Sequence, residues 1–292
     1  MRLFVNYTLV GVTQGLVYAA VALALVLAWR STRILNFAQG AMAMITTYIA
    51  ATLLEHSVGY WEAFIAAIAA GLVIGAVTER LVIRPVEARN PLNAVIVAIG
   101  VLIFLEALAA AIWGSVERGF PAPFSLVGYR VGGHGIELAP FDVFVIVAVL
   151  VMMALLLALF RFTALGLRMR ASAFSPEVAG MLGVRVKRLL TLGWALAAAA
   201  GALAGLFVAP SVFLYPQNMD SVLIFGFTAA IIGGLESPLG ALAGGLVSGL
   251  AWSYVGGYIG PSFQASGAVA LLVVVLMVRP SGLFSSPQAR RV

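Results

Sequence analysis

The 292-residue sequence has no cysteine. Disulfides, thiolate metal sites and a cysteine nucleophile are therefore excluded. Histidine is nearly as scarce. His56 and His134 both lie in short polar stretches, too few to build a metal centre. Charge is the third shortage: only 10% of the residues are Asp, Glu, Lys or Arg, where a soluble domain carries about a quarter. No GxxxxGK[ST] run occurs, which removes a P-loop nucleotide site, and no cofactor site is expected.

Apolar residues fill the chain instead. They make up 63% of it, and the mean hydropathy is +1.09. One water-soluble core of this length cannot hide so much apolar surface, so the surplus must face lipid. Apolar runs fall near 8–29, 34–54, 61–83, 92–113, 141–160, 188–210, 217–235, 239–257 and 264–278. They predict an all-α polytopic bundle of about eight to ten transmembrane helices, some broken or re-entrant, because only helices and closed barrels satisfy their backbone in lipid. Arg2 followed by an apolar stretch resembles a signal peptide, but the run is long, lacks a clear cleavage site and is followed by more spans. The sequence reads as a single transmembrane domain over 1–292.

The net charge is +6 and the isoelectric point near 10.1. On a membrane protein this marks cytoplasmic loops and contact with anionic lipid, not nucleic acid. With the N-terminus outside and nine alternating spans, the inner loops hold Arg30 and Arg33; Arg80, Arg84 and Arg89; Arg161, Arg168, Arg170, Arg185, Lys187 and Arg188; and Arg279, Arg290 and Arg291. Outside remain Arg2, Arg118 and Arg130. Shifting the register by one span destroys that asymmetry, so an odd number of crossings and a cytoplasmic C-terminus are expected. Loop 114–140 is rich in Gly and Pro and lies outside; the basic loop 161–187 lies inside.

Several segments interrupt the apolar pattern. In Ile34-Leu35-Asn36-Phe37-Ala38-Gln39-Gly40, two amides and a glycine follow an arginine pair. An amide in lipid is costly unless hydrogen-bonded. Two compatible readings are a helix start capped by Asn36 and packed through Gly40, and a broken helix beside a pathway. In Ile232-Gly233-Gly234-Leu235-Glu236-Ser237-Pro238, Ser237 can cap and Pro238 can start a new helix. The uninterrupted stretch before it, 222–235, suits a re-entrant segment, and an ordinary tight turn fits as well. Gln14 lies in the first span. Glu106 is read as the one carboxylate well inside a span, with no basic partner at helical spacing and no second acid beside it.

In the inner loop, Ser175-Pro176-Glu177 gives a cap, a first-position proline and an acid at the positive helix end, and Gly183 can close the helix. A helix of about two turns with Val178, Ala179, Met181 and Leu182 as apolar contacts is marginal alone. It needs either a lipid interface or a partner surface.

Three of these blocks carry a resemblance. INFAQG resembles the INFAxG signature of permease subunits of branched-chain amino acid ABC importers. RASAFSPEVAGMLGV is similar to that family's cytoplasmic coupling loop, and GGLESPLGALAGG to its late Gly-rich segment, in the same order and over nearly the whole chain. Departures are Ser175 where an acid or amide is common, Glu236 where glycine is frequent, and Gln39 where histidine is frequent. The resemblance implies a multi-pass permease of the bacterial-type inner membrane, not an enzyme, which moves a small solute by alternating access. It implies a second homologous permease subunit, two cytoplasmic ATPase subunits and an extracytoplasmic solute-binding protein as partners. The candidate pathway residues, taken from the polar and glycine interruptions of the spans, are Gln14, Asn36, Gln39, Gly40, Glu106, Gly233 and Gly234. Residues 175–183 would couple to the ATPase. An ion-coupled secondary transporter is the rival reading; it normally needs several intramembrane ionisable groups. A membrane enzyme needs an intramembrane base or metal set, and no histidine lies in a span.

Overall fold

The structure is a computed structural model that describes residues 2–87, 91–131, 134–135, 138–279 and 282. Arg89, Arg290, Arg291 and the C-terminus, used above to orient the chain, lie outside the described residues. In order, the elements are α1 (Arg2–Thr32), α2 (Gln39–Glu55), α3 (Tyr60–Val77), which runs on as a π-helical turn (Thr78–Ile83), and α4 (Arg84–Glu87). Then come α5 (Pro91–Trp113), a short antiparallel ladder of β1 (Arg130–Val131) and β2 (His134–Gly135), and α6 (Pro140–Phe162). Helices α7 (Ala164–Phe174) and α8 (Pro176–Met181) precede α9 (Val186–Val208), α10 (Asp220–Gly233) and α11 (Pro238–Tyr254). The last, α11, continues as a π turn (Val255–Ile259), and a 3-10 turn leads to α12 (Gln264–Val278).

Each of the nine apolar runs falls on a helix. Seven helices among the described residues are long and apolar enough to cross a membrane. The other two, α2 and α10, have 17 and 14 residues. At about 1.5 Å per residue they are shorter than the roughly 30 Å hydrocarbon core. Each follows an irregular stretch, 33–38 and 209–219. Non-helical backbone at membrane depth must be buried in protein or face a cavity. Ile34, Asn36 and Ala38 meet that requirement by burial.

Helix α1 is the centre of the bundle. Ala19 to Ala28 are all fully buried, as expected for a helix apolar all round. It packs chiefly on α11, and also on α9 and α10. Small residues make the closest approach. A Cβ on Gly249 would fall on the backbone of Gly15, and one on Gly240 on the backbone of Gly233. Helix α11 thus presents one glycine edge to α1 and another to α10, the small-residue packing that membrane helices use in place of hydrophobic driving force. Helix α5 instead exposes Ile96, Ile103, Phe104 and Ile112, and α12 exposes Val274 and Met277, faces suited to lipid.

One expectation needs revision. The basic segment 161–187 is not a loop with one short helix, because α7 occupies its first half. Thr163 caps α7 by accepting a hydrogen bond from the Gly166 N–H at 3.1 Å. A threonine three residues before a glycine is a weak cap signal, masked here by the surrounding arginines.

Candidate functional site

The two amides of the Asn36–Gly40 segment lie in the protein interior, each about 1% exposed. Asn36 Oδ1 accepts from the Ala38 N–H at 3.1 Å, which shapes the turn into α2. Asn36 Nδ2 donates to Gln39 Oε1 at 2.9 Å, and Gln39 Nε2 donates to the Ala197 carbonyl at 3.0 Å. The first residue of α2 is thereby fastened to the middle of α9. The fastening needs Gly201, where a Cβ would collide with the Gln39 amide. Gly40 packs on Met219 and Leu223 at the start of α10.

Gln14 lies elsewhere. It lines a cavity of about 210 Å³ among α1, α6, α9 and α10, with Thr13, Tyr18, Asp142 and Ser211. The rest of the wall is Val and Phe, including Val17, Val145 and Phe207. Asp142 and Ser211 were not picked out from the sequence, because each sits at the flank of an apolar run and reads there as an ordinary terminus.

Glu106 has a partner that its own span does not show. The fold brings the Asp220 carboxyl, at the first position of α10, into side-chain hydrogen-bonding reach of it. The premise that no second acid accompanies Glu106 is therefore wrong; tertiary packing between helices distant in sequence supplies one. Glu106 is also not the one acid placed within a span. Glu79, in the expected run 61–83, is completely buried and paired with Arg84: Arg84 Nε donates to Oε1 at 3.0 Å and Nη2 to Oε2 at 2.6 Å. The spacing of five residues does not share a face in an α-helix, but the π-helical turn between them aligns it.

Gly233 closes α10, and Gly234 follows in a left-handed conformation with φ 93°. Ser237 then caps α11 through a 2.9 Å hydrogen bond from the Gly240 N–H, with Pro238 at the first position, as its sequence predicts. Glu236 in this turn makes an exposed ion pair with Arg33, just before the Asn36 segment. The two glycine-containing interruptions are thus tied together at one end of the bundle.

In the basic segment 161–187, Pro176 begins α8 and Glu177 lies in its first turn. Gly183, with φ 82°, lets the chain turn back, and the Val184 N–H donates to the Ala179 carbonyl at 3.0 Å. Ser175 occupies the cap position, yet its side chain makes no capping hydrogen bond; the expected cap is backbone geometry only. Ala179 is buried, whereas Val178, Met181 and Leu182 are 53%, 85% and 79% exposed. The apolar face of α8 is therefore open on this chain. Arg84 ties the end of this segment to the bundle, donating to the Lys187 carbonyl at 2.8 Å and to Thr191 Oγ1 at 2.6 Å.

Comparison with known proteins places this geometry. The family described as branched-chain amino acid transport system / permease component matches residues 7–278. The chain is 32% identical over 300 residues to the high-affinity branched-chain amino acid transport system permease protein LivH of Escherichia coli K12, covering 97% of this chain and 96% of the relative. It is 30% identical to BraD, a permease protein of the same description from Pseudomonas aeruginosa, with the same coverage. At 26% identity it also matches the fructose import permease protein FruF of Bifidobacterium longum, over 78% of this chain and 61% of the relative. Its fold resembles a chain of PsaBC from Streptococcus pneumoniae, solved in complex with Fab, with a TM-score of 0.51 at 12% identity over 96% of this chain and 93% of that one. A multi-pass helical membrane protein with a family match over nearly its whole length, this chain belongs to the permease component family of branched-chain amino acid transport systems.

Proposed function

We propose that the chain is the membrane-spanning subunit of an ATP-driven importer that brings branched-chain amino acids or related small polar solutes into the cytoplasm. The whole chain acts as one permease domain. It pairs with a second permease subunit, receives solute from an extracytoplasmic binding protein and is driven by two cytoplasmic ATPase subunits. The N-terminus is outside and the 161–187 segment inside, an orientation that rests on the asymmetry of Arg and Lys. Gln14, Glu106 and the Gly233–Gly234 turn flank the pathway, and the Asn36–Gln39–Gly40 lock holds α2 beside it.

One observation carries the reading. Helix α8 presents Val178, Met181 and Leu182 to the outside in a strongly basic segment. A six-residue helix is too short to be stable alone, and burying that face in a groove of an ATPase would both stabilise it and transmit movement. Ser175, Pro176, Glu177 and Gly183 set its ends, and Ala179 anchors it to this chain. The test is reconstitution of the chain with its partner permease, ATPases and binding protein, with ATP-dependent uptake measured over a ligand panel.

The Glu106–Asp220 pair favours a second reading, ion-coupled transport, because acid pairs in membrane helices serve proton relays. Uptake driven by a proton or sodium gradient without ATP would support it. Glu106→Gln separates the two: ATP-driven uptake survives the change, and ion-coupled uptake does not.

A further inference from the structure

A small cavity lies where α7 meets α1, separate from the Asn36–Gln39 lock. It measures about 20 Å³, and its wall includes Arg30 and Ser31 of α1, Phe160 of α6, Arg170 and Ser172 of α7, and Leu189 of α9. A cavity needs roughly 10–15 Å³ to hold one water molecule, so this one has room for a single small particle. Ser172 is 3% exposed, and its hydroxyl is buried without a hydrogen-bond partner among the described residues. Such a group is costly unless something satisfies it. Ser31 does not compete with it as a donor. Its hydroxyl already donates to the Leu27 and Ala28 carbonyls at 2.8 and 2.9 Å, so its proton is used inside α1.

The two arginines make the demand electrostatic. Neither forms a hydrogen bond or an ion pair among the described residues. Arg30 is half-buried, with its guanidinium 5.2 Å from the centre of the Phe160 ring. Arg170 is near enough to repel it. Glu236, the acid that acts on Arg30, is already paired with Arg33. A water molecule would partner the hydroxyl but leave the like charges uncompensated in a partly desolvated place. One anion answers both needs. We propose that this cavity is a site for a single monatomic anion of chloride size, held by the Arg30 and Arg170 guanidiniums and by the Ser172 hydroxyl as donors. Arg170 is exposed and gives the ion a route from solvent. Helix α7 runs directly into α8, so the ion pins the segment that carries α8 to the central helix α1. The inference does not depend on what the chain transports.

The test is the rate at which the purified full-length chain in detergent loses its folded form at a fixed raised temperature. Chloride replaces gluconate, which is too large for the cavity, at constant ionic strength. With loss proceeding from the anion-free form, chloride at about ten times its Kd should slow it about tenfold along a saturating curve, since the free fraction falls as 1/(1 + [L]/Kd). Bromide should replace chloride, and sulfate should not. Arg170→Gln, at an exposed and unpaired position, should fold and lose the chloride effect. Arg168→Gln, exposed on the same helix but outside the cavity wall, should keep it. Ser172→Ala should raise the chloride concentration required by about tenfold, as expected for a lost hydrogen bond to a charged group. A rate that ignores chloride means that the cavity holds water and overturns the proposal. A response that does not saturate, or that Arg170→Gln retains, is general salt action and overturns it as well.

Discussion

Arg84 is the residue whose loss should cost the fold most. The Glu79 side chain is completely buried, and Arg84, 27% exposed, is its bidentate partner. Arg84→Met leaves that carboxylate unpaired, and breaking a buried pair from one side costs about 3–5 kcal/mol. The same change frees the Lys187 carbonyl and the Thr191 hydroxyl, each with an alternative: the carbonyl already accepts from Thr191 Oγ1 at 3.0 Å. The carboxylate therefore dominates. Removing both charges behaves differently, because apolar replacement of a buried ion pair is often neutral or stabilising. Glu79→Met combined with Arg84→Met should recover most of the loss, giving a coupling energy on the order of 2–3 kcal/mol in a double-mutant cycle. The assay is reversible unfolding in mixed detergent micelles, all four proteins measured under one condition. If Arg84→Met costs less than about 1 kcal/mol, the range of exposed pairs, Glu79 is solvated and the argument fails. Full destabilisation in the double variant would assign the effect to Thr191 and Lys187 instead.

On coupling, Leu182→Asp should prevent the ATPase subunits from co-purifying while the permease still inserts, because a charge would enter the groove proposed for the α8 face; retained ATPase and normal uptake would make α8 a passive interfacial helix. Ser175→Ala should change stability by less than about 0.5 kcal/mol, since no capping bond exists to lose, whereas Ser237→Ala, which removes an observed cap, should cost about 1 kcal/mol by the same unfolding measurement. Gly249→Val drives a side chain into the Gly15 backbone and should cost at least about 1–3 kcal/mol; Gly180→Ala on α8, where a Cβ meets nothing within 4 Å, should be neutral or stabilising, and the reverse order would contradict the helix seam. For topology, Ser115→Cys should react with an impermeant reagent applied outside intact cells and Glu177→Cys should not; Ser172 is buried and would be shielded in either orientation, so labelling at Glu177 is the discriminating result.

What could be read in advance follows a physical divide. The spans and the α11 start depend on local rules, namely apolar runs set against bilayer thickness and a Ser-Pro pair at a helix beginning, so the residues announce them directly. The sites depend on what faces what. Asn36 and Gln39 announce a need for hydrogen bonds, but only the crossing of α2 with α9 shows that the Ala197 carbonyl meets it and that Gly201 makes the space. Glu106 announces a cost, and its companion Asp220 is invisible until α10 is placed. Glu79 was missed for a different reason. Its partner lies five residues along, a spacing that an α-helical reading discards, and only the π-helical turn restores it. Asp142 and Ser211 were missed because helix ends normally carry polar residues that water satisfies. In this fold those two ends converge on a cavity that Gln14 enters from α1. That convergence belongs to the assembled bundle: a polar residue at a span end becomes informative only when the helices that meet there are known.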